Sequence, residues 1–203
     1  MKGATVILAA GDFPRDGTEA REALDGAGRV VCCDGAADAY RARTGREPDF
    51  VVGDCDSLAG EFANVVRIGE QETNDLAKAI RFCRSMGWEN PLVLGACGGR
   101  EDHTIGNVFL ALAQNVEILT DRGRFVPVEG RATLAVEEGC AISVFAPDRE
   151  TKARSKGLVW PLDGVVFDSL FRATLNRAAG ESVEIESDRR ILVYMASGKE
   201  NAT

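Results

Sequence analysis

The segment Phe50-Val51-Val52-Gly53-Asp54-Cys55-Asp56-Ser57 joins a short apolar run to two acids. Phe50–Val52 is typical of a short buried strand, and Gly53 permits a tight exit from it. In an extended segment, residues two apart face the same side, so Asp54 and Asp56 can converge on one cation. An Asp-x-Asp pair is also common in solvated loops and helix caps, and the segment alone leaves both interpretations open.

Around this segment, short apolar runs alternate with helical patterns up to about residue 120. The predicted strands are Ala4–Ala10, Arg29–Cys33, Phe50–Val52, Val65–Ile68, Leu92–Ala96 and Val116–Thr120. The predicted helices are Thr18–Ala27, Ala36–Arg43, Leu76–Met86 and Ile105–Ala113. Strands that alternate with helices indicate a mostly parallel sheet covered on both faces. We therefore predict a Rossmann-like α/β domain over residues 1–122.

After Asp121 the pattern changes to short strands separated by turns. The predicted strands are Arg124–Val128, Ala132–Val136, Ala141–Phe145, Gly157–Trp160, Ser182–Glu186 and Ile191–Met195. Ser187–Arg190, between the last two of these strands, predicts a hairpin, and Asp163-Gly164 predicts another turn. We therefore predict an all-β domain, a β-sandwich, over residues 123–203, with frayed residues at Lys199–Thr203.

The composition restricts the classes of function. Of the 203 residues, 45% are hydrophobic and 28% are charged, as in an ordinary soluble globular protein. The net charge of -8 repels phosphate backbones, so we expect no nucleic-acid partner, and a phosphate ligand would need a mediating cation. Six cysteines without C-x-x-C spacing and a single histidine, His103, argue against a zinc site. Without a signal peptide or a membrane-spanning apolar stretch, we expect no membrane partner and a cytoplasmic location.

Another acid marks the start of a predicted helix. Asp75 immediately precedes Leu76–Met86, and it follows the predicted strand Val65–Ile68. Taken alone, an acid at this position is more typical of a helix start, where it satisfies free amides and complements the helix dipole. Lys78 lies one turn further along, where it could face the same edge of the sheet or solvent.

A glycine-rich segment, Gly98-Gly99-Arg100-Glu101-Asp102-His103, follows the predicted strand Leu92–Ala96. Its glycines can turn backbone amides toward an anion, and Arg100 carries a planar fork of donors that suits phosphate. Asp102 could bind a metal or orient a ligand. His103 could contact substrate, but a lone histidine at a helix start is as often structural.

Three predicted strands are thus followed by acids, at the edge where an open parallel sheet binds its ligands. Two carboxylates 4 Å apart repel each other by about 4 kcal/mol at an effective dielectric of 20. Bound Mg²⁺ removes this repulsion and bridges acids to phosphate oxygens, so the sequence predicts a magnesium–nucleotide site. The chain lacks P-loop, dinucleotide-binding and nucleophile-elbow motifs, which argues against those enzyme classes.

Six segments, in order along the chain, carry a family resemblance. They are Ala10-Gly11-Asp12-Phe13-Pro14, Cys33-Asp34-Gly35-Ala36-Ala37, Gly53-Asp54-Cys55-Asp56-Ser57, Asp75-Leu76-Ala77-Lys78-Ala79, Gly98-Gly99-Arg100-Glu101-Asp102-His103 and Gly157-Leu158-Val159-Trp160-Pro161-Leu162. Together they resemble the motifs of the thiamine pyrophosphokinase family. The resemblance implies an α/β ATP-binding domain, a thiamine-binding β-sandwich and a homodimer. It also implies that the diphosphate of ATP is transferred to the thiamine hydroxyl, which gives thiamine diphosphate and AMP.

The resemblance also implies roles for single residues. The implied catalytic residues and magnesium ligands are Asp54, Asp56, Asp75 and Asp102, and Asp34 is implied in the same acidic cluster. The residues implied at ATP and its phosphates are Asp34, Gly35, Ser57, Lys78, Gly98, Gly99, Arg100 and His103. Trp160 would stack on thiamine across the dimer interface, with Asn176 nearby. Either Asp102 or Asp75 would accept the hydroxyl proton, and the sequence does not choose between them.

Two segments depart from the family pattern. Gln71-Glu72-Thr73-Asn74-Asp75 stands where the family usually reads K-D-x-T-D, and Leu175-Asn176-Arg177 where it often reads S-N-E. These departures leave a second function open, a catalytically silent nucleotide-binding or regulatory protein. The Asp54 and Asp56 pair leaves open a third, a metal-dependent nucleotide-sugar transferase.

Overall fold

The computed structural model describes residues 3–198, and in that range it contains eleven strands and four helices. The chain divides into two compact units, and the division falls between Asp121 and Arg122. The sequence predicts this boundary one residue further along, and the predicted fraying of Lys199–Thr203 concerns residues outside the described range. None of the helices within residues 3–198 has the length and apolar character needed to cross a bilayer.

The first unit is built on a parallel sheet. Its strands are β1 (Thr5–Leu8), β2 (Arg29–Cys33), β3 (Phe50–Gly53), β4 (Val65–Arg67), β5 (Leu92–Leu94) and β6 (Ile118–Thr120). They lie in the order β6-β5-β1-β2-β3-β4, and all their pairings are parallel, as predicted. Central residues such as Ile7, Val31 and Val51 are fully buried, which is why these strands are continuous apolar runs.

Four helices connect these strands. They are α1 (Glu19–Asp25), α2 (Ala36–Thr44), α3 (Asp75–Ser85) and α4 (Glu101–Gln114). Helix α4 begins four residues before the predicted start at Ile105, because its first turn is polar and carries no apolar periodicity. Helix α3 buries Ala79, Ile80 and Cys83 completely, so its apolar face fixes the position of its first turn.

The second unit is antiparallel. Its strands are β7 (Gly123–Ala135), β8 (Ala141–Phe145), β9 (Ala153–Lys156), β10 (Ala173–Arg177) and β11 (Ser182–Ala196). Strand β11 pairs with β7 along its length, with β9 near its start and with β8 near its end, and β10 pairs with β8. Val183, Ile185, Ile191 and Val193 of β11 are buried in the core of this unit.

The predicted hairpin at Ser187–Arg190 is wrong. Strand β11 is continuous, and Ser187 and Ile191 both pair with β7, opposite Gly130 and Val128. Three residues of β11 therefore face one residue of β7, and the polar segment forms a bulge instead of a turn. The two strands predicted within residues 124–136 are likewise one strand, β7, because β11 pairs with it on both sides of the bulge.

The predicted strand Gly157–Trp160 is also wrong. This segment makes only an isolated bridge, between Leu158 and Ala178. The structure instead places strands at β9 and β10, which the sequence did not predict because their residues do not alternate between apolar and polar. The predicted turn at Asp163-Gly164 is confirmed.

Candidate functional site

A cleft of about 360 Å³ lies in the first unit, where residues following β1, β2 and β3 meet the first turns of α3 and α4. Strand β1 has β2 on one side and β5 on the other, so the chain reverses its direction across the sheet at this point. Parallel sheets bind ligands outside the carboxyl ends of their strands at such a reversal. Seven of the predicted site residues line the cleft: Asp34, Gly35, Asp54, Ser57, Asp75, Lys78 and His103.

Asp34, directly after β2, is a buried acid with an unsatisfied oxygen. The residue is 5% exposed and its backbone has a φ of 38°. Its Oδ2 accepts a hydrogen bond from the Ser57 amide, while its buried Oδ1 has no hydrogen-bond partner among residues 3–198. Burial raises the pKa of Asp34 above its ordinary value, and the charges of neighbouring aspartates add to this increase. A buried carboxylate oxygen without a partner is costly, and a bound cation would remove that cost.

Asp34, Asp54 and Asp56 form a cluster that we call the acidic triad. Their ligand oxygens all lie within 4.8 Å of one another. Cys55, between the two acids of the loop after β3, has a φ of 63°, a conformation that is uncommon outside glycine and that gives this loop its turn. Carboxylate oxygens are the ligands that Mg²⁺ prefers, so this donor set fits a divalent magnesium ion.

Hydrogen bonds hold the two loop acids of the triad. Gln71 Nε2 donates to Asp54 Oδ2 at 3.1 Å, and the Ser57 hydroxyl donates to Asp56 Oδ1 at 3.0 Å. The Gln71 bond is the main reason that the pKa of Asp54 is below its ordinary value. Asp54 is therefore ionised at neutral pH.

Asp75 and Lys78, one turn apart on α3, form an ion pair beside the triad. Lys78 Nζ is 3.0 Å from Asp75 Oδ1 and 3.8 Å from Asp54 Oδ2. Burial lowers the pKa of Lys78, but the hydrogen bond to Asp75 and the surrounding carboxylates outweigh it and raise the pKa overall. A Cβ atom on Gly53 would lie 3.1 Å from Asp34 Cβ and 3.2 Å from Asp75 Cγ. Only glycine leaves Asp34 and Asp75 at this separation without a shift.

The glycine-rich segment after β5 lies against the loop after β1. Gly98 has a φ of 80°, and a Cβ atom there would overlap the Asp12 carboxylate, so a side chain at this position would be strained and would force Asp12 to move. Asp12 N donates to Cys97 O at 2.8 Å, which joins the two loops. Gly99 also has a positive φ, and a Cβ atom there would meet no described atom within 4 Å. The backbone of this segment is therefore open to a ligand at Gly99.

Arg100 and Asp102 lie beyond the lining of the cleft and bind each other. Arg100 Nε and Nη2 donate to the two carboxylate oxygens of Asp102, at 3.1 and 2.6 Å. The Arg100 side chain lowers the pKa of Asp102. The structure therefore does not bring Asp102 to the acidic triad, whereas His103, the next residue, does line the cleft.

The sequence interpretation missed the site roles of two asparagines. Asn74 caps α3 by accepting a hydrogen bond from Ala77 N, and its Nδ2 donates to Asn107 Oδ1 at 3.0 Å. Asn107 in turn donates to Ala96 O at 2.9 Å. Both asparagines line the cleft, as does Gln71. Asparagine before a predicted helix signals a cap, but no sequence pattern signals the bond between the two side chains.

In the second unit, Asn176 holds the backbone of Trp160. Asn176 Oδ1 accepts from Trp160 N at 3.2 Å, and Asn176 Nδ2 donates to Trp160 O at 2.6 Å. Asn176 is buried, whereas Trp160 is 58% exposed. Leu175 is 86% exposed and has a φ of 62°, an uncommon conformation for leucine. The structure therefore presents an indole ring to solvent on a fixed backbone.

Two family models match the chain. "Thiamin pyrophosphokinase, catalytic domain" matches residues 20–120, and "Thiamin pyrophosphokinase, substrate-binding domain" matches residues 123–194. Thiamin pyrophosphokinase 1 from Caenorhabditis elegans is 32% identical over 167 residues, which cover 71% of this chain and 68% of the relative.

Solved structures share the fold. The thiamin pyrophosphokinase from Geobacillus thermodenitrificans matches with a TM-score of 0.78 at 22% identity, covering 98% of this chain and 100% of that one. Yeast thiamin pyrophosphokinase matches with a TM-score of 0.72 at 14% identity, covering 97% of this chain and 87% of that one. At these identities the comparison concerns the fold alone, and the agreement extends over nearly the whole chain.

Proposed function

The chain belongs to the thiamin pyrophosphokinase family, and we propose that it transfers the diphosphate of ATP to the hydroxyl group of thiamine. The products are thiamine diphosphate and AMP. The observation that carries this proposal is the acidic triad at the carboxyl edge of the parallel sheet. One of its oxygens, Asp34 Oδ1, is buried without a hydrogen-bond partner among the described residues. This supports a bound cation as the partner of that oxygen.

We assign Mg²⁺ to the acidic triad of Asp34, Asp54 and Asp56. Asp75 and Asp102 are also expected as ligands from the sequence, but they bind Lys78 and Arg100, so we give them other roles. When bound, the ion supplies positive charge to the phosphate oxygens of ATP. The net charge of the chain is -8, so ATP needs such compensation to approach these acids.

The glycine-rich segment is the proposed binding site for the rest of the phosphate chain. The exposed guanidinium of Arg100 can exchange Asp102 for phosphate, and the backbone at Gly99 is open to a ligand. The full proposed set at ATP is Asp34, Gly35, Ser57, Gly98, Gly99, Arg100 and His103. Lys78 was expected in this set, but its ammonium group is engaged by carboxylates, so we place it with them instead.

The proposed reaction is a direct transfer. The thiamine hydroxyl oxygen forms a bond to the β-phosphorus of ATP, and the bond from that phosphorus to the oxygen shared with the α-phosphate breaks. AMP leaves with that oxygen, and the hydroxyl proton passes to a carboxylate, for which Asp75 and Asp102 are the candidates. Such transfers depend mainly on positioning and on charge compensation. The charge compensation would come from Mg²⁺ held by the carboxylates and from the guanidinium of Arg100.

We propose that residues 123–203 bind thiamine and form a homodimer, as the resemblance implies, and that their strands form a β-sandwich. Trp160 is 58% exposed, which supports its indole as a binding surface for an aromatic cation. Stacking the cationic thiazolium on this ring contributes about 1–2 kcal/mol. Both amide atoms of Asn176 bind the Trp160 backbone, which supports a positioning role for Asn176. We also propose a cytoplasmic location, which is supported by Cys32, Cys33, Cys55, Cys83 and Cys97, none of which forms a disulfide among residues 3–198.

Product analysis tests the proposed function. Purified protein with thiamine, ATP and Mg²⁺ should form AMP and thiamine diphosphate in equal amounts. Asp54→Asn and Asp102→Asn should each lower turnover by about 100-fold or more while leaving the protein folded. Glu89→Gln, at an exposed acid after α3, is the matched control and should keep full turnover. Formation of ADP, or nucleotide binding without AMP release, would contradict the proposal.

A further inference from the structure

Lys78 lies among the carboxylates of the cleft and is almost completely buried. The residue is 1% exposed, and its ammonium nitrogen is 3.0 Å from Asp75 Oδ1 and 3.8 Å from Asp54 Oδ2. A buried ammonium group without counter-charges would be very costly, but two carboxylates compensate it here. Lys78 is therefore a positive charge that the protein itself supplies to the site.

The four carboxylates around the cleft fall into two groups. The acidic triad brings its oxygens within 4.8 Å of one another, an arrangement that suits one divalent ion. Asp75 approaches the same place, because a Cβ atom on Gly53 would lie within 3.2 Å of both Asp34 and Asp75. The Asp75 carboxylate nevertheless directs Oδ1 to Lys78. The space between Asp75 and Asp54 thus already contains a cation.

We propose that Lys78 takes the place of a second divalent ion between Asp54 and Asp75, so that the nucleotide-free protein binds one divalent ion. An ammonium group and a metal ion compete for the same carboxylate oxygens, and the lysine is covalently held. This inference rests on the assignment of Mg²⁺ to the acidic triad in the proposed function. Lys78 is accordingly a positioning residue, which orients two acids without binding phosphate itself.

A binding titration with Mn²⁺ in place of Mg²⁺ tests this inference on the nucleotide-free full chain. Electron paramagnetic resonance of free Mn²⁺ gives the number of bound ions directly. Wild-type protein should bind one ion per chain, and Lys78→Ala should bind two. Lys78→Arg keeps the charge and should bind one. Arg81→Ala removes a charge one turn further along α3, where it pairs with Glu70, and should also bind one.

Two more variants cover the case in which Lys78→Ala does not fold. Asp75→Asn should leave the affinity for the first ion within about threefold, because Asp75 is not its ligand, whereas Asp34→Asn should weaken it about tenfold or more. A wild-type stoichiometry other than one overturns the inference. So does a folded Lys78→Ala protein that binds a single ion, or an Asp75→Asn protein weakened as much as Asp34→Asn. The titration does not depend on turnover. A protein that binds one ion in the titration but forms no AMP in the product analysis would contradict only the proposed function.

Discussion

Asn107 accepts a 3.0 Å hydrogen bond from the side chain of Asn74, the residue immediately before Asp75. Asn107 also donates to Ala96 O at 2.9 Å, so it joins the start of α3 to the segment that follows β5. Asn74 has a second role, as the cap that accepts from Ala77 N. The pair therefore fixes the backbone from which the Asp75 carboxylate extends.

Substitutions at Asn74 distinguish the effect of its helix cap from the effect of its hydrogen bond to Asn107. Asn74→Ser keeps a good cap but is too short to reach Asn107, so stability should be unchanged while turnover falls roughly threefold to tenfold. Asn74→Ala should lose the same turnover and about 1 kcal/mol of stability as well. Thermal unfolding and steady-state kinetics measure the two effects. Wild-type turnover in Asn74→Ser would show that the bond does not position Asp75.

Removing the charge of Asp34 should stabilise the fold while it abolishes activity. In Asp34→Asn the new amide can donate to the neighbouring carboxylates, and the unsatisfied charged oxygen is gone. The melting temperature at neutral pH should rise by about 2–4 °C for each 1 kcal/mol gained. Calorimetry of this variant and of Glu89→Gln, whose melting temperature should not change, measures the effect.

The increase in melting temperature caused by Asp34→Asn should become smaller as the pH falls. Burial raises the folded-state pKa of Asp34, so the cost of its charge is fully present above that pKa. The cost decreases as the pH falls through the folded-state pKa, and it is lost below the unfolded value of about 4, where the acid is protonated in both states. The difference in melting temperature between variant and wild type should therefore narrow from pH 7 to pH 4. A difference that widens over this range would contradict the description of Asp34 as a buried, poorly compensated acid.

Asp34 and Asp75 both lie close to Gly53, so adding a single methyl group there should affect stability and metal binding. In Gly53→Ala the added Cβ would lie 3.1 Å from Asp34 Cβ and 3.2 Å from Asp75 Cγ, so both acids must shift. We expect a loss of about 1–3 kcal/mol in stability and a weaker affinity for Mn²⁺. Gly69→Ala is the matched control, because a Cβ there would meet no described atom within 4 Å. Equal behaviour of the two variants would show that Gly53 does not set the separation of the acids.

Removing the exposed indole of Trp160 should change the KM for thiamine and leave the KM for ATP unchanged. Trp160→Ala should raise the KM for thiamine about 5- to 30-fold, the equivalent of 1–2 kcal/mol of stacking, with an unchanged KM for ATP. Phe171→Ala removes another exposed aromatic ring of the same unit and should leave the KM for thiamine unchanged. Steady-state kinetics with each substrate varied in turn distinguish these outcomes. An equal change in both KM values would point to a general structural role for Trp160.

The sequence predicted the first unit better than the second for a physical reason. Most strands of the parallel sheet are buried apolar runs that end at a turn, so the sequence pattern alone predicts both the strand and its carboxyl end, as at Phe50–Gly53. In the second unit, Ser187–Arg190 has the composition of a turn, yet β7 continues to pair on both sides of it. Whether such a segment forms a turn or a bulge depends on its partner strand, which no local pattern identifies.

The same distinction applies to the site. The loop acids Asp54 and Asp56 follow directly from the end of a strand, and the structure gathers them with Asp34. The pairing of Asn74 with Asn107, by contrast, joins side chains 33 residues apart. Its geometry depends on how α3 and α4 lie against each other. The burial of Lys78 beside Asp54 likewise depends on where α3 lies relative to the loop after β3. Spacing along the chain predicts which residue types reach the edge of the sheet, but not which of them bind one another.

The most direct test of the account is a crystal structure with Mn²⁺, thiamine and a non-hydrolysable ATP analogue, in which anomalous scattering locates the metal. We expect a peak about 2.0–2.3 Å from oxygens of Asp34, Asp54 and Asp56, with phosphate oxygens completing its coordination. A metal peak that none of these three carboxylates contacts, or a triphosphate bound away from them, would contradict the account.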